Sequence, residues 1–392
     1  MKILIVIPAF PVNLQHIKGG VHSALVNLLD GFSGVDVWIR VLSFNRELAT
    51  PMVVNYATNI AIHYLPEHKS FPHVFNFMWK GAAAVKTHIA DFNANLVHYA
   101  MSGYILFTKL FRLPVVQLVT IHGMAFREAK QKKTIKERLV WYSNGFTESL
   151  LCPENRIHLS NYARQLFGNS SFGYSAIIPN AVSLGYFNLP IKNTTHNQLL
   201  YVGSIDANKN ILLLLQSLTI LAAKNILFNL SVLGDFTDEG YKAIVVDFIK
   251  KNKLDNQVIF FGWTPQPALQ EKLAAADIVV VCSRQESLPM VIAEAMSAGK
   301  VVVASGVGGI PEMISDGEDG FIFNASVTNS LVDKLELLYN NNKLLVKIQN
   351  AAKAKAASVY HCTRVAQQTK AFYELLLNKK QNLPANQMAF LK

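Results

Sequence analysis

Cysteine is scarce, with three in 392 residues (Cys152, Cys282 and Cys362) and no CxxC spacing. So odd and scattered a set argues against a disulfide framework and against a zinc site built on thiolates. It points to a reducing, cytoplasmic location. Cys282 closes the apolar run that starts at Ile278 and reads as a buried strand thiol. Charge is also sparse, at 16% of residues against a usual share of about 25%. That deficit suggests large buried parallel sheets, or a surface meant for an apolar neighbour. Long hydrophobic runs are missing too. The longest, Ile211 to Ala223, is broken by Gln216 and ended by Lys224, short of the roughly 20 residues that span a bilayer. The apolar run from Ile3 to Ile7 is stopped by Pro8; it is too short for a signal peptide and reads as a first strand.

What is present is basic and uneven. The net charge is +11, and residues 1–190 hold 17 Lys/Arg against 9 Asp/Glu, whereas residues 191–392 hold 20 against 17. Half of the N-terminal excess lies between Arg127 and Arg138, where six basic residues meet two acidic ones. The plain reading is a solvated helix face. The functional one is a footing on anionic lipid headgroups, at about 1 kcal/mol per basic residue. Nucleic acid is not expected, because no aromatic is interleaved for stacking and no nucleic-acid module surrounds the run.

Short apolar runs alternate with helix-length segments. Strands are expected at Ile3–Ile7, Val35–Leu42, Leu96–Tyr99 and Val115–Ile121, then at Leu199–Val202, Phe228–Leu233, Val258–Phe261, Ile278–Val281 and Val301–Ala304. Runs without period-two alternation suit strands covered on both faces, and alternating β and α segments imply doubly wound parallel sheets. The alternation pauses between Gly185 and Gln198, a polar stretch that reads as a linker between two α/β domains. Thr363 to Leu377 reads as a late helix.

Chemistry concentrates from Ser283 onward. An expected strand there gives way to a helix, with Ser287 as a candidate N-cap and Pro289 in the first turn. Free amides at such a helix start form an anion site. Glu286 then lies at its mouth and Glu294 over a turn inside, where a carboxylate can accept hydrogen bonds from sugar hydroxyls. A second strand, Val301–Ala304, leads into Gly306, Gly308 and Gly309, then Pro311. The order differs from the GxGxxG fingerprint, which disfavours a dehydrogenase.

The run from Ser283 to Gly320, with Glu286 and Glu294, then EAMSAGK, GGIPEMI and DGEDGF, resembles the signature of retaining glycosyltransferases of family four. The resemblance implies the GT-B fold, two Rossmann-like doubly wound parallel-sheet domains facing a central cleft. The expected division is an acceptor domain at 1–184, a linker at 185–198, a donor domain at 199–362, a helix at 363–378 crossing back to the first domain, and a polar tail at 379–392. It implies that Glu294 binds the donor ribose, and that Glu286 with the backbone near Leu288 and Met290 faces the donor sugar and diphosphate. Lys18, Gly19 and Gly20 resemble the glycine-rich loop near the diphosphate, and His122, before Gly123, a histidine that touches the donor sugar. Asn180 and Ala181 are similar to a "pNG" turn with Ala for Gly. The loop of Gly262 and Trp263 would meet the nucleobase, with Trp263 free to stack on it.

Gly203 to Lys209 resembles the segment that opens the donor domain, with one departure. Ser204 stands where many relatives carry arginine, while Lys209 is kept; Arg284 is a candidate substitute. The implied activity is transfer of a hexose from a nucleoside-diphosphate sugar to a sugar hydroxyl with retention, in cell-surface polysaccharide or glycolipid assembly. His122 and Glu286 are the expected catalytic residues. No DxD-like motif is evident in the site segments, so neither a metal nor another cofactor is expected. Expected partners are the nucleotide sugar, a glycan or lipid-linked acceptor, and the inner face of a membrane through residues 127–138. A sugar-nucleotide epimerase, a phosphorylase-like enzyme and a non-catalytic nucleotide-sugar-binding subunit are the alternatives.

Overall fold

The computed structural model describes residues 1–14, 16–17, 19–67, 77–102, 113–123, 134–167, 173–190 and 197–381. Lys18, Arg127–Lys133, residues 191–196 of the expected linker and most of the expected polar tail lie outside them. The chain divides into two compact units, one of Met1–Val12, Val21–Ala181 and Thr363 onward, the other of Asn13–Gly20 and Val182–Cys362.

The first unit runs β1 (Lys2–Pro8), α1 (Gly20–Phe32), β2 (Trp38–Asn45), β3 (Met52–Ala57), β4 (Ile60–Pro66), α2 (Ala82–Phe92), β5 (Leu96–Tyr99), β6 (Val116–Ile121), α3 (Ile135–Leu151), β7 (Asn155–His158), α4 (Asn161–Phe167) and β8 (Ser175–Ile177). The strands pair in the order β3-β4-β2-β1-β5-β6-β7-β8. Only β3 and β4 pair antiparallel. Ile3 to Ile7 of β1 are fully buried, as a central strand covered on both faces requires.

The expected strand at Val35–Leu42 is displaced to Trp38–Asn45. Residues 34–37 are taken up by a turn instead. The Asn59 side-chain amide donates to the carbonyls of Phe32, Val35 and Val37 at 2.8, 2.9 and 2.8 Å, and its Oδ1 accepts from the Gly34 amide. Those carbonyls are therefore occupied before the sheet begins.

The second unit runs α5 (Leu184–Phe187), β9 (Gln198–Val202), α6 (Ile211–Ala223), β10 (Asn229–Leu233), α7 (Glu239–Lys251), β11 (Val258–Gly262), α8 (Gln266–Ala275), β12 (Ile278–Val281), α9 (Met290–Ser297), β13 (Val301–Ser305), α10 (Ile310–Met313), β14 (Phe321–Phe323), α11 (Thr328–Asn340) and α12 (Asn342–Val359). Its six strands are all parallel, in the order β11-β10-β9-β12-β13-β14. β12 and the first four residues of β13 have at most 6% exposure throughout, and each such large aliphatic contributes roughly 1.5–3 kcal/mol of burial. Ile292, Ala295 and Met296 of α9 share one core cluster with Ala352 and Ala356 of α12. That packing fixes the helix that carries Glu294.

The linker expectation needs correcting at its start. Leu184–Phe187 forms a helical turn capped by Ser183, and Tyr186 is buried in the second unit's core. A buried tyrosine with its own cap holds the turn to the unit despite the polar residues after it. The late helix, α13 (Cys362–Gln381), exceeds the expected one at both ends. It buries Val365, Phe372, Tyr373 and Leu376, and Tyr373 stacks near-parallel on Phe32 with centroids 6.2 Å apart. Those contacts join the last helix to the first unit's core.

Candidate functional site

In the second sheet the first strand, β9, has β10 on one side and β12 on the other. Connections leave this pair in opposite directions, so the loops at their C-terminal ends part at a topological switch point, where open α/β sheets bind ligands. The loop after β9 carries Gly203, Ser204 and Lys209, and the loop after β12 carries Arg284 and Glu286.

Asp206 shapes the first loop. Its Oδ1 accepts from the amides of Asn208 and Lys209, each at 2.9 Å, the side-chain turn that Asp readily forms. Ser204 Oγ donates to Oδ2 of the same carboxylate at 2.8 Å. The residue standing in the arginine position therefore builds the turn that carries Lys209. Asn208 stitches the two loops together, its carbonyl accepting from the Arg284 amide at 2.7 Å and its Nδ2 donating to the Gln285 carbonyl at 3.3 Å.

The stitching brings two expected site residues together. Lys209 Nζ lies 2.5 Å from Glu286 Oε1, and Ser283 Oγ donates to that oxygen at 2.7 Å. Both side chains keep some access to solvent, 29% for Lys209 and 11% for Glu286, so an incoming anion can reach the ammonium. The glycine-rich turn after β13 supports this loop from behind. Gly308 has φ +60°, and a Cβ there would stand 1.7 Å from the Glu286 carbonyl oxygen. Only glycine allows that approach.

The expected N-cap at Ser287 is not formed. Pro289 occupies the cap position with φ −69° and ψ 122° and makes no side-chain cap. Proline disfavours helical backbone in the residue before it, so α9 starts at Met290, later than expected. The Ile292 amide donates to the Pro289 carbonyl at 3.2 Å; the amides before it, of Met290 and Val291, precede the first bond of the helix and follow directly on the loop that holds Glu286. Leu288 and Met290 pack on the core cluster of α9, which fixes the backbone at the helix start.

Glu294 lies one turn into α9 and is half-buried. Burial pushes its carboxyl up to about 7, against a hydrogen bond from Tyr186 that pulls it down. Near neutral pH the carboxyl therefore sits at its titration point, able to accept hydrogen bonds once ionised. Arg284, the candidate substitute for the missing arginine, is exposed, and its charge acts on Tyr241. Asn13–Gly20 groups with this unit. Gly19 has φ +97° with open space at its Cβ position, and a Cβ on Gly20 would lie 3.4 Å from the Met290 side chain. Trp263 is stacked on His16 with centroids 5.7 Å apart. Its amide donates to Asp235 Oδ1 at 2.9 Å, and Gly262 beside it has φ +70°.

His122 belongs to the first unit, just past the end of β6. Its Nε2 is 2.9 Å from the Ala100 carbonyl, which can only accept, so Nε2 carries the proton and Nδ1 is left as an acceptor. Burial pushes its pKa down to about 4, against the hydrogen bond to Ala100. The ring is neutral at pH 7, suited to receive a hydrogen bond from a hydroxyl and not to donate a proton from a cation. Beneath it His98 is buried, with Nδ1 2.6 Å from Tyr373 Oη and Nε2 2.7 Å from Thr120 Oγ1. A cavity of about 40 Å³ touches His98, Thr120, His122, Asn180, Val365 and Thr369; it is large enough for water. Ala181, in the glycine position of the "pNG" turn, is not among the positive-φ residues, so alanine fits there without strain.

The sequence reading missed Asp206, Ser283, Tyr186 and His98. Asp206 carried a signal, an Asp three residues before Lys209 in a polar turn. Ser283, three residues before Glu286, carried an equally local one; Tyr186 and His98 become partners only through folding.

Residues 187–355 match the family model described as Glycosyl transferases group 1. An uncharacterised glycosyltransferase of Methanocaldococcus jannaschii is 25% identical over 330 residues, covering 83% of this chain and 86% of the relative. An amylovoran biosynthesis glycosyltransferase of Erwinia amylovora is 26% identical over 68% of this chain and 66% of its own. Among solved structures, sucrose-phosphate synthase of Thermosynechococcus elongatus superposes with TM-score 0.77 at 18% identity, over 96% of this chain and 99% of its own. HepE of Anabaena in complex with UDP-glucose gives TM-score 0.70 at 17% identity, over 95% and 99%. The fold is GT-B, and the family match with the relatives supports a group 1 glycosyltransferase.

Proposed function

We propose that this chain transfers a hexose from a nucleoside-diphosphate sugar to a hydroxyl of a glycan or glycolipid acceptor, with retention at the anomeric carbon. One observation carries the reading. At the switch point of the second sheet, Lys209 meets Glu286 within one stitched loop pair, and that loop leads into the start of α9. A cation beside a helix N-terminus suits a diphosphate, and Glu294, a turn further in, suits ribose hydroxyls.

In the donor-free protein the Glu286 carboxylate holds Lys209. The diphosphate replaces that partner and draws the ammonium onto its oxygens. The bond from the anomeric carbon to the diphosphate oxygen then breaks, and its electron pair stays on the phosphate. Lys209 and the α9 amides stabilise that developing charge by preorganised electrostatics. The acceptor oxygen bonds to the same face of the anomeric carbon, and its proton passes to the departing phosphate. Glu286, displaced from Lys209, turns to the donor sugar hydroxyls; within the first unit the neutral His122 ring is suited to accept a hydrogen bond from a hydroxyl. The amylovoran biosynthesis relative favours assembly of a polysaccharide or glycolipid, and the solved UDP-glucose complex of similar fold favours a UDP-sugar donor.

Glu286→Gln keeps the shape and removes the charge. Its turnover should fall by well over tenfold, more than about 1.4 kcal/mol on the barrier, while the melting temperature holds. Turnover at the wild-type rate in that variant excludes Glu286 from the reaction.

A further inference from the structure

Helix α3 places Ile135, Leu139, Tyr142, Phe146 and Leu150 along one line. At about 100° per residue they fall within an arc of roughly 80°. A helix on a globular protein normally turns such a stripe inward. Here it faces out. Ile135 is 77% exposed, Leu139 64%, and Phe146 and Leu150 62% each. The opposite side is the buried one, through Gly145 and Glu148, and the Glu148 carboxylate accepts from Ser102 Oγ. The helix buries an acid and exposes its oil. Its start is fixed, since Thr134 and Glu137 form a reciprocal capping box.

Charge identifies what meets this face. Lys136 and Arg138, both exposed, occupy helical positions on the two flanks of the stripe. The sequence from Arg127 to Arg138 holds six basic residues against two acidic. We propose that α3 rests on a bilayer surface bearing anionic headgroups, its stripe entering the boundary between headgroups and acyl chains. An apolar face bordered by long basic side chains is the form interfacial helices take, because the stems lie along the apolar layer while the charged ends reach phosphate. A second copy of the chain suits the stripe less well, since pairing two stripes sets the Lys136 and Arg138 flanks of one copy against those of the other. The surface belongs to the first unit and does not depend on the glycosyl-transfer reading.

Vesicle flotation of the full chain tests it, and reads no turnover, so its failure leaves the catalytic proposal standing. The chain should float with vesicles of phosphatidylcholine containing about 30% phosphatidylglycerol, and about tenfold less with phosphatidylcholine alone. Binding should weaken in about 0.5 M salt, where screening is strong. Leu139→Glu with Phe146→Glu should lower it about tenfold or more without moving the melting temperature. Were that pair to unfold, Leu150→Ser, also at an exposed position, carries the same comparison. Equal flotation of folded wild type and variant overturns the proposal. So does an absence of flotation, or a sedimenting dimer that the same substitutions dissolve.

Discussion

Glu294 shows how one residue ties stability to the site. Its carboxyl is held up at about 7 in the fold by burial, from 4.5 ordinarily. A raised acid binds its proton more tightly in the folded state than in the unfolded. Its contribution is therefore fully present below about pH 4.5 and is lost as pH rises through about 7. Stability of the wild type should fall between pH 5 and 8, by roughly 2 kcal/mol from this group at about 1.4 kcal/mol per pKa unit. Glu294→Gln should lose that much less over the same interval. Urea unfolding at the two pH values reads the difference, and parallel behaviour of the two proteins would mean the proton is not held there. At this scale the sequence was partly legible. Glu286 and Glu294 belong to one strand-loop-helix unit, and the residues after them, through the resemblance of the run from Ser283 to Gly320, set them apart from ordinary surface glutamates. Tyr186, more than 100 residues earlier, bonds to Glu294 only because α5 folds onto the core of the second unit, and nothing local announces it.

Among the elements, the turn after β13 matters most. Gly308 lies in the left-handed region with its α-hydrogen against the Glu286 carbonyl. Gly308→Ala would bring both backbone strain and a collision with backbone, so destabilisation of about 2 kcal/mol or more is expected. Turnover should fall with it, since the loop that must yield carries Glu286. Chemical denaturation compared with the wild type checks this; an unchanged midpoint would show that the two loops do not depend on each other. The buried central strands were legible as continuous apolar runs, and β5 and β12 match the sequence reading at both ends. The strands that escaped notice are of another kind. β3 buries no residue fully, and β4 alternates buried with half-buried ones. β8 and β14 have three residues each, too few for any period to show, and β7 offers a single apolar residue, Ile157, in four. The start of α9 was misplaced because a serine that can cap competes with a proline that dictates backbone, and proline prevails.

For the whole molecule, alternation of strand and helix sufficed to give two sheets that are parallel but for the β3–β4 edge pair. Strand order was not available from that pattern, since it depends on which edge each crossover chooses. That order puts β9 beside β12 and thereby brings Lys209 to Glu286, 77 residues apart. The central claim is that this convergence binds a nucleoside-diphosphate sugar. Calorimetric titration of the full chain with UDP-, GDP-, ADP- and dTDP-sugars, repeated on Lys209→Ala, measures it directly. The expected result is saturable one-to-one binding of at least one donor, weakened about tenfold or more by the substitution, or at least about 1.4 kcal/mol. Donor binding of equal strength in the wild type and the Lys209→Ala protein, or no binding of any of them, would contradict it.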